Sequence, residues 1–161
     1  MIAHPFPPLY NGNSKILILG SFPSVKSREE MFFYGHKQNR FWKVISAVLK
    51  VKTPETVEEK RKMLLEHGIA LWDVIASCDI TGSSDSSIKN VIANDLSPIF
   101  ESAQIRGIFV NGKTAEKYYK KYTFPQIKRS AICLASTSPA NAAWTLDALI
   151  SQWGDELKKY L

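Results

Sequence analysis

The apolar residues of this chain fall into blocks of two kinds. Four are compact runs bounded by glycine or polar residues: "KILILG" at 15–20, "IALWDVI" at 69–75, "GIFVNG" at 107–112 and "SAICLAS" at 130–136. Short, nearly continuous apolar runs predict strands covered on both faces. Between them the apolar positions return every three or four residues. Phe41, Val44, Ile45, Val48 and Leu49 fall on one face of a helix over 40–49. Thr53 and Pro54 have the form of an N-cap and a first helical residue, and Gly68 that of a C-terminal stop. Val57, Arg61, Leu64 and Leu65 then share a face. A short helix is predicted over 94–103, another from 113 through Lys121, and an amphipathic one over 142–161. The inward face of the last carries Leu146, Leu149, Ile150, Trp153 and Leu157. Gly154 weakens it by about 1 kcal/mol relative to alanine and allows a bend. The polar stretch "ASCDITGSSDSSIKN", 76–90, reads as a long loop, and "MIAHPFPPLYNGN" as an extended lead-in.

Strands alternating with helices predict one α/β domain over 1–161. It is a three-layer α/β/α sandwich around a central four-stranded parallel sheet. Ligands of such sheets sit beyond the carboxyl ends of the strands. The loops "GSFPSVKS" and "STSPANA", after the first and last strands, are therefore expected to share a rim with "GHKQN", 35–39.

The 161 residues suffice for one sizeable core, and 45% hydrophobic with 22% charged residues is ordinary for a soluble globular protein. No apolar run approaches the roughly 20 residues of a membrane span. The N-terminus lacks the pattern of a secretory signal. A cytoplasmic monomer with no membrane partner is expected. Cys78 and Cys133 read as two reduced thiols and cannot supply a four-cysteine metal or iron–sulfur site. His4, His36 and His67 show no metal-ligand spacing, so neither metal nor cofactor is expected. A net charge of +6 favours a polyanion partner without specifying one.

The candidate chemistry lies in the loops. "GSFPS", 20–24, is neither a phosphate-cradling P-loop nor a nucleophile elbow. Gly20 permits a sharp turn, and Pro23 stiffens it. Phe22 is either a buried ring or a flat surface for a base, with stacking worth about 1–3 kcal/mol. In "STSPAN", 136–141, Ser136, Thr137, Ser138 and Asn141 offer polar groups that suit a phosphate. Alternatively, Asn141 simply caps the last helix. His36 is a general acid or base, or a surface residue. Asp73, at a strand end, is a buried structural carboxylate or a polar rim group. Ser21 or Ser24 with His36 and Asp73 would make a hydrolase set, although the elbow is missing. Asn39 stands just before Arg40, Phe41 and Trp42, as a polar amide at the mouth of an apolar helix.

A G-x-x-P loop after the first strand, "HKQNRFWKVI" and a Ser-Pro turn after the last strand together resemble the uracil-DNA glycosylase superfamily. "NRFWKVI" is similar to the mismatch-specific uracil/thymine branch, whose first motif reads G-I-N-P-G. "GSFPS" puts Phe22 in the place of that branch's catalytic Asn, and the Asp of the main uracil branch is absent as well. "GSFPS", "YGHKQNRFW" and "STSPANA" together are most similar to the hypoxanthine-DNA glycosylase branch. The important Asn of that branch corresponds to Asn39.

The resemblance implies a metal-independent glycosylase acting on DNA with a damaged or deaminated base, most of all hypoxanthine. It implies Asn39 as the catalytic residue. Gly20, Ser21, Phe22, Pro23, Ser24, Tyr34, His36 and Asn111 are expected to form the base pocket. Ser136, Thr137, Ser138, Pro139, Ala140 and Asn141 are expected on the DNA side, with Lys26, Lys37, Arg40 and Lys113 as backbone contacts. The main uracil branch closes with H-P-S-P-L. Ser136 here replaces its catalytic His and Ala140 its Leu wedge, which argues against efficient uracil excision. A mismatch uracil/thymine glycosylase, a non-catalytic nucleic-acid binder and, more distantly, a small-molecule hydrolase are the competing readings.

Overall fold

In the computed structural model, which describes residues 1–161, four strands form a wholly parallel sheet. They are β2 (Ile16–Gly20), β3 (Ile69–Asp73), β6 (Gly107–Asn111) and β7 (Ile132–Leu134), in the order β3-β2-β6-β7. Every residue of β2 and β3 is buried. Both faces of the sheet are thus covered, as the continuous apolar runs require. The helices that flank it are α1 (Val25–Glu30), α2 (Phe41–Leu49), α3 (Val57–Glu66), α4 (Ser97–Ser102), α5 (Lys113–Tyr118), α6 (Phe124–Ile127) and α7 (Leu146–Leu157). A π-helical segment, Tyr119–Thr123, joins α5 to α6. The α/β/α arrangement agrees with the reading of the sequence.

A second sheet does not. β1 (Ile2–Ala3), β4 (Ile75–Asp79) and β5 (Lys89–Ala93) pair antiparallel in the order β1-β4-β5, where a lead-in and a long loop are predicted. Only 80–88 of the serine-rich stretch connects strands. The β4–β5 ladder slips register twice and much of it stays open to solvent. It therefore leaves no clean alternation in the sequence.

Two helix starts also shift. α3 is capped by Thr56, whose Oγ1 accepts from the Glu59 N–H at 3.1 Å, rather than by Thr53. The Thr53 hydroxyl instead meets Ser46 Oγ at 2.9 Å and ties the chain to α2. The buried positions of α3 are Met63 and Leu64, while Val57 is exposed. α7 starts at Leu146, with Thr145 Oγ1 accepting from the Ala148 N–H at 3.1 Å. Asn141 is not its cap.

The inward face of α7 is as read, with Leu149, Trp153 and Leu157 fully buried and the Trp153 ring 5.8 Å from that of Phe41. Gly154 leaves α7 unbroken. A methyl group there would meet Val48 Cγ2 at 3.7 Å, an ordinary contact. Gly154→Ala should therefore raise stability by about 1 kcal/mol through helix propensity. Chemical denaturation measures the gain, and a lower midpoint would mean that α2 and α7 have no room for it.

Candidate active site

The parallel register brings three sequence-distant residues to one edge. Gly20 lies beside Asp73, and Asn111 ends β6 one strand over. The chain turns from one side of β2 to the other between β3 and β6, so this edge is the switch point of the sheet. Gly20 is required there for close approach. A Cβ would lie 2.5 Å from Asp73 Oδ1 and 3.3 Å from the Tyr34 hydroxyl. Above the edge is a cavity of about 380 Å³, within the range of small-molecule sites. Its wall comes from the 20–24 loop, Tyr34, His36 and Asn39, the end of β6 and the 136–140 turn. The three predicted rim segments do meet.

Asn39 is held by groups that leave its amide one orientation. The Phe41 N–H, which can only donate, reaches Asn39 Oδ1 at 3.0 Å. The Thr137 hydroxyl donates to the same oxygen at 2.8 Å. That direction is fixed from the far side. The Thr137 N–H donates to Asn111 Oδ1 at 3.1 Å, so Asn111 Nδ2 is the atom that donates to Thr137 Oγ1, at 3.1 Å. The same Nδ2 donates to the Tyr34 hydroxyl at 3.2 Å. Both lone pairs of the Asn39 carbonyl are thus engaged. Its Nδ2 makes no hydrogen bond within the protein, and Asn39 lines the cavity.

The aromatic pair behind Asn39 anchors this loop. Phe41 stacks on Tyr34 with centroids 4.0 Å apart, and the Trp42 indole N–H donates to the Tyr34 carbonyl at 3.2 Å. Tyr34 itself has a left-handed backbone, with φ of 51°. Burial, and then the Asp73 charge, push the Tyr34 hydroxyl above the ordinary tyrosine pKa. It stays protonated at neutral pH.

A profile of the Uracil DNA glycosylase superfamily matches residues 7–158. The chain belongs to that superfamily. It is 36% identical over 120 residues to a protein named hypoxanthine DNA glycosylase from Methanosarcina acetivorans, covering 73% of this chain and 76% of the relative. A protein of the same name from Methanosarcina barkeri is 29% identical over 156 residues, covering 96% and 97%. The solution NMR structure of a candidate uracil DNA glycosylase from Methanosarcina acetivorans superposes with a TM-score of 0.83. Its identity is 31%, with coverage of 99% of this chain and 98% of that one.

Several residues of this uracil DNA glycosylase superfamily chain serve differently from their sequence reading. Thr137, expected on the DNA side, is fully buried and works as the hydrogen-bond link just described. Arg40, expected on a phosphate, is turned inward. Its guanidinium donates to the Ser138 and Asn141 carbonyls, each at 3.1 Å, and to that of Trp144. Asn141 Nδ2 is likewise engaged within the turn, by the Ser136 carbonyl at 3.0 Å. Ser136 Oγ accepts from the Ser138 N–H and Ser138 Oγ from the Ala140 N–H, so both hydroxyls shape the turn as well as lining the cavity with Pro139 and Ala140.

Pro23 is buried, and Ser24 caps α1 through the Ser27 N–H at 3.1 Å. Phe22 lines the cavity between His4 and the guanidinium of Arg28, 5.9 and 5.7 Å from its ring centre. His36 is exposed at the mouth, where its Nδ1 accepts from the Gln38 N–H at 3.1 Å. Lys37 is exposed, Lys26 pairs with Glu30 at 3.5 Å, and Lys113 lines a second, adjoining cavity.

Asp73 resolves as a buried carboxylate at the cavity floor. Its histidine partner is His4, whose Nε2–H donates to Asp73 Oδ2 at 2.7 Å. The Ser–His–Asp set with His36 is not assembled. Nothing in the spacing of positions 4 and 73 announces their contact. The serine stretch is the other omission. Ser83, Ser84, Asp85 and Ser86 also line the cavity.

Proposed function

We propose that this protein is a monofunctional DNA glycosylase that hydrolyses the N-glycosidic bond of a flipped, deaminated base in DNA, hypoxanthine above all. The observation that carries the reading is the locked Asn39 amide, which offers the cavity a donor and no acceptor. In the reaction, positive charge grows on the sugar at C1′ and negative charge on the departing base. A fixed N–H donor at the base lowers the energy of that charge, and a neutral amide needs no proton transfer to do so. Asn39 is therefore an electrostatic catalyst rather than a base.

The same couple supports the choice of base. Hypoxanthine presents a carbonyl oxygen beside a ring N–H. Asn39 Nδ2 suits the first, and the Asp73 carboxylate at the floor is the acceptor available to the second. Adenine presents an amino group and a bare nitrogen at those places, so donor would face donor and acceptor would face acceptor. Phe22 supplies a ring for stacking. Extrusion of the nucleotide is the general route by which glycosylases reach a base. The names of the two archaeal relatives favour hypoxanthine as well.

Uracil carries a like carbonyl and N–H pair, which keeps the mismatch uracil/thymine reading as the second choice. Single-turnover excision from matched duplexes holding inosine, uracil, a G·T mismatch or only normal bases, scored by alkaline scission, separates the two. The expected result is fastest cleavage at inosine and none at adenine. Faster cleavage at uracil would transfer the assignment. Tight binding without abasic sites would make the protein a binding module.

A further inference from the structure

The cavity needs a group that accepts the proton of the attacking water, and its lining narrows the choice. Asn39 has no free lone pair. Asp73 is buried at the floor and bound to His4. His36 is at the exposed rim, with Nδ1 taken by the Gln38 N–H. Asp85 is different. It lines both adjoining cavities from the wall between them and is open to solvent, so its carboxylate can meet a water beside an occupant.

The loop that carries Asp85 is closed on itself. The Thr81 N–H donates to Ser87 Oγ at 2.9 Å, and the Ser87 hydroxyl to the Ser84 carbonyl at 2.6 Å. It is also fastened to α1. Arg28 Nη2 donates to the Gly82 carbonyl at 2.6 Å, and the Val25 N–H to Ser83 Oγ at 2.9 Å. We propose that Asp85 is a catalytic residue of this site, the carboxylate that orients the attacking water and takes its proton. This rests on the glycosylase reading above.

The step balances without any further reactant. The water oxygen bonds to C1′ as the C1′–N bond breaks, and the bonding pair leaves with the base under the Asn39 donor. One water proton passes to the Asp85 carboxylate, and from there to solvent or the released base. The products are an abasic sugar and the free base.

The surroundings of the carboxyl make it a stronger base than a free aspartate. Partial burial of the carboxyl against the cavity wall raises its pKa above the ordinary aspartate value, an effect that hydrogen bonding from Thr114 and Ser21 reduces. Tyr118 lies close enough to feel its charge, Lys113 shares the second cavity, His36 and Asp73 share the first, and Arg28 grips the loop. Because the base form is the ionised one, activity falls as pH drops through this raised pKa.

Asp85→Asn and Asp85→Ala test the assignment in single-turnover assays across pH on an inosine duplex. Binding is measured separately on a duplex carrying the non-hydrolysable 2′-fluoro analogue. The expected result is a loss of about 10²-fold or more and a flattened acid limb. Affinity for the analogue and the unfolding midpoint should stay unchanged. A wild-type rate with an intact limb in Asp85→Asn overturns the proposal, and so does a rate loss matched by an equal loss of affinity. Failure of the hypoxanthine reading looks different, since the wild-type protein then spares inosine. The variants are in that case compared on whichever base of the panel the wild type removes, with the same two overturning results. Absence of excision from every duplex overturns both.

Discussion

Asn39→Ala should slow single-turnover excision by about 10²–10³-fold, the usual loss when one transition-state donor is removed. Alanine also strips the Phe41 N–H and the Thr137 hydroxyl of their shared acceptor. About 1 kcal/mol of stability should go with it, as for a lost helix cap. Asn39→Asp separates the two effects. A carboxylate still accepts from Phe41 and Thr137, so the fold is retained. The atom facing the cavity changes from a donor to a negatively charged oxygen, which repels the charge growing on the base. Aspartate should therefore melt like the wild type and excise as poorly as alanine. Recovery of the rate in Asn39→Asp would show that position 39 acts on the water, not on the base.

Arg40→Ala should cost about 3 kcal/mol, since three hydrogen bonds from a charged donor are lost together. The guanidinium gathers the carbonyls of Ser138, Asn141 and Trp144, the first two of which also accept one backbone N–H each within the turn. Arg40→Lys should recover little, since one ammonium cannot reproduce the planar fork. Urea denaturation gives the size of the loss. Salt titration of DNA binding gives its nature. Because Arg40 is spent on the protein, its removal should leave the slope of log K against log salt unchanged, whereas a lost phosphate contact reduces it by about one unit. A reduced slope with unaltered stability would return Arg40 to the DNA surface.

These two residues also show where sequence reading succeeds and stops. The parallel sheet was legible because its strands are buried on both faces and read as unbroken apolar runs. The rim followed from topology alone, since parallel strands deliver their carboxyl ends to one edge. Asn39 stood out because an amide before an apolar helix has no packing role. The direction of Arg40 was not legible. An arginine beside a basic loop reads as a phosphate ligand, and only the path of the 136–144 turn shows that its carbonyls are within reach. The inward direction of Thr137 is hidden for the same reason, because burial of a loop hydroxyl depends on the residues packed over it. The β1-β4-β5 sheet is held mainly by backbone pairing, with little apolar patterning, and Asp85 had no neighbour in sequence to mark it. Thr53 and Pro54 mimic a helix start, and tertiary contact with Ser46 overrides the local signal.

The hydrogen bond from Thr137 to Asn39 spans 98 residues of chain. During synthesis the amide therefore stays unaligned until the last parallel strand has left the ribosome and docked. The orientation of the amide is thus a late product of folding, set by a contact between the two halves of the chain.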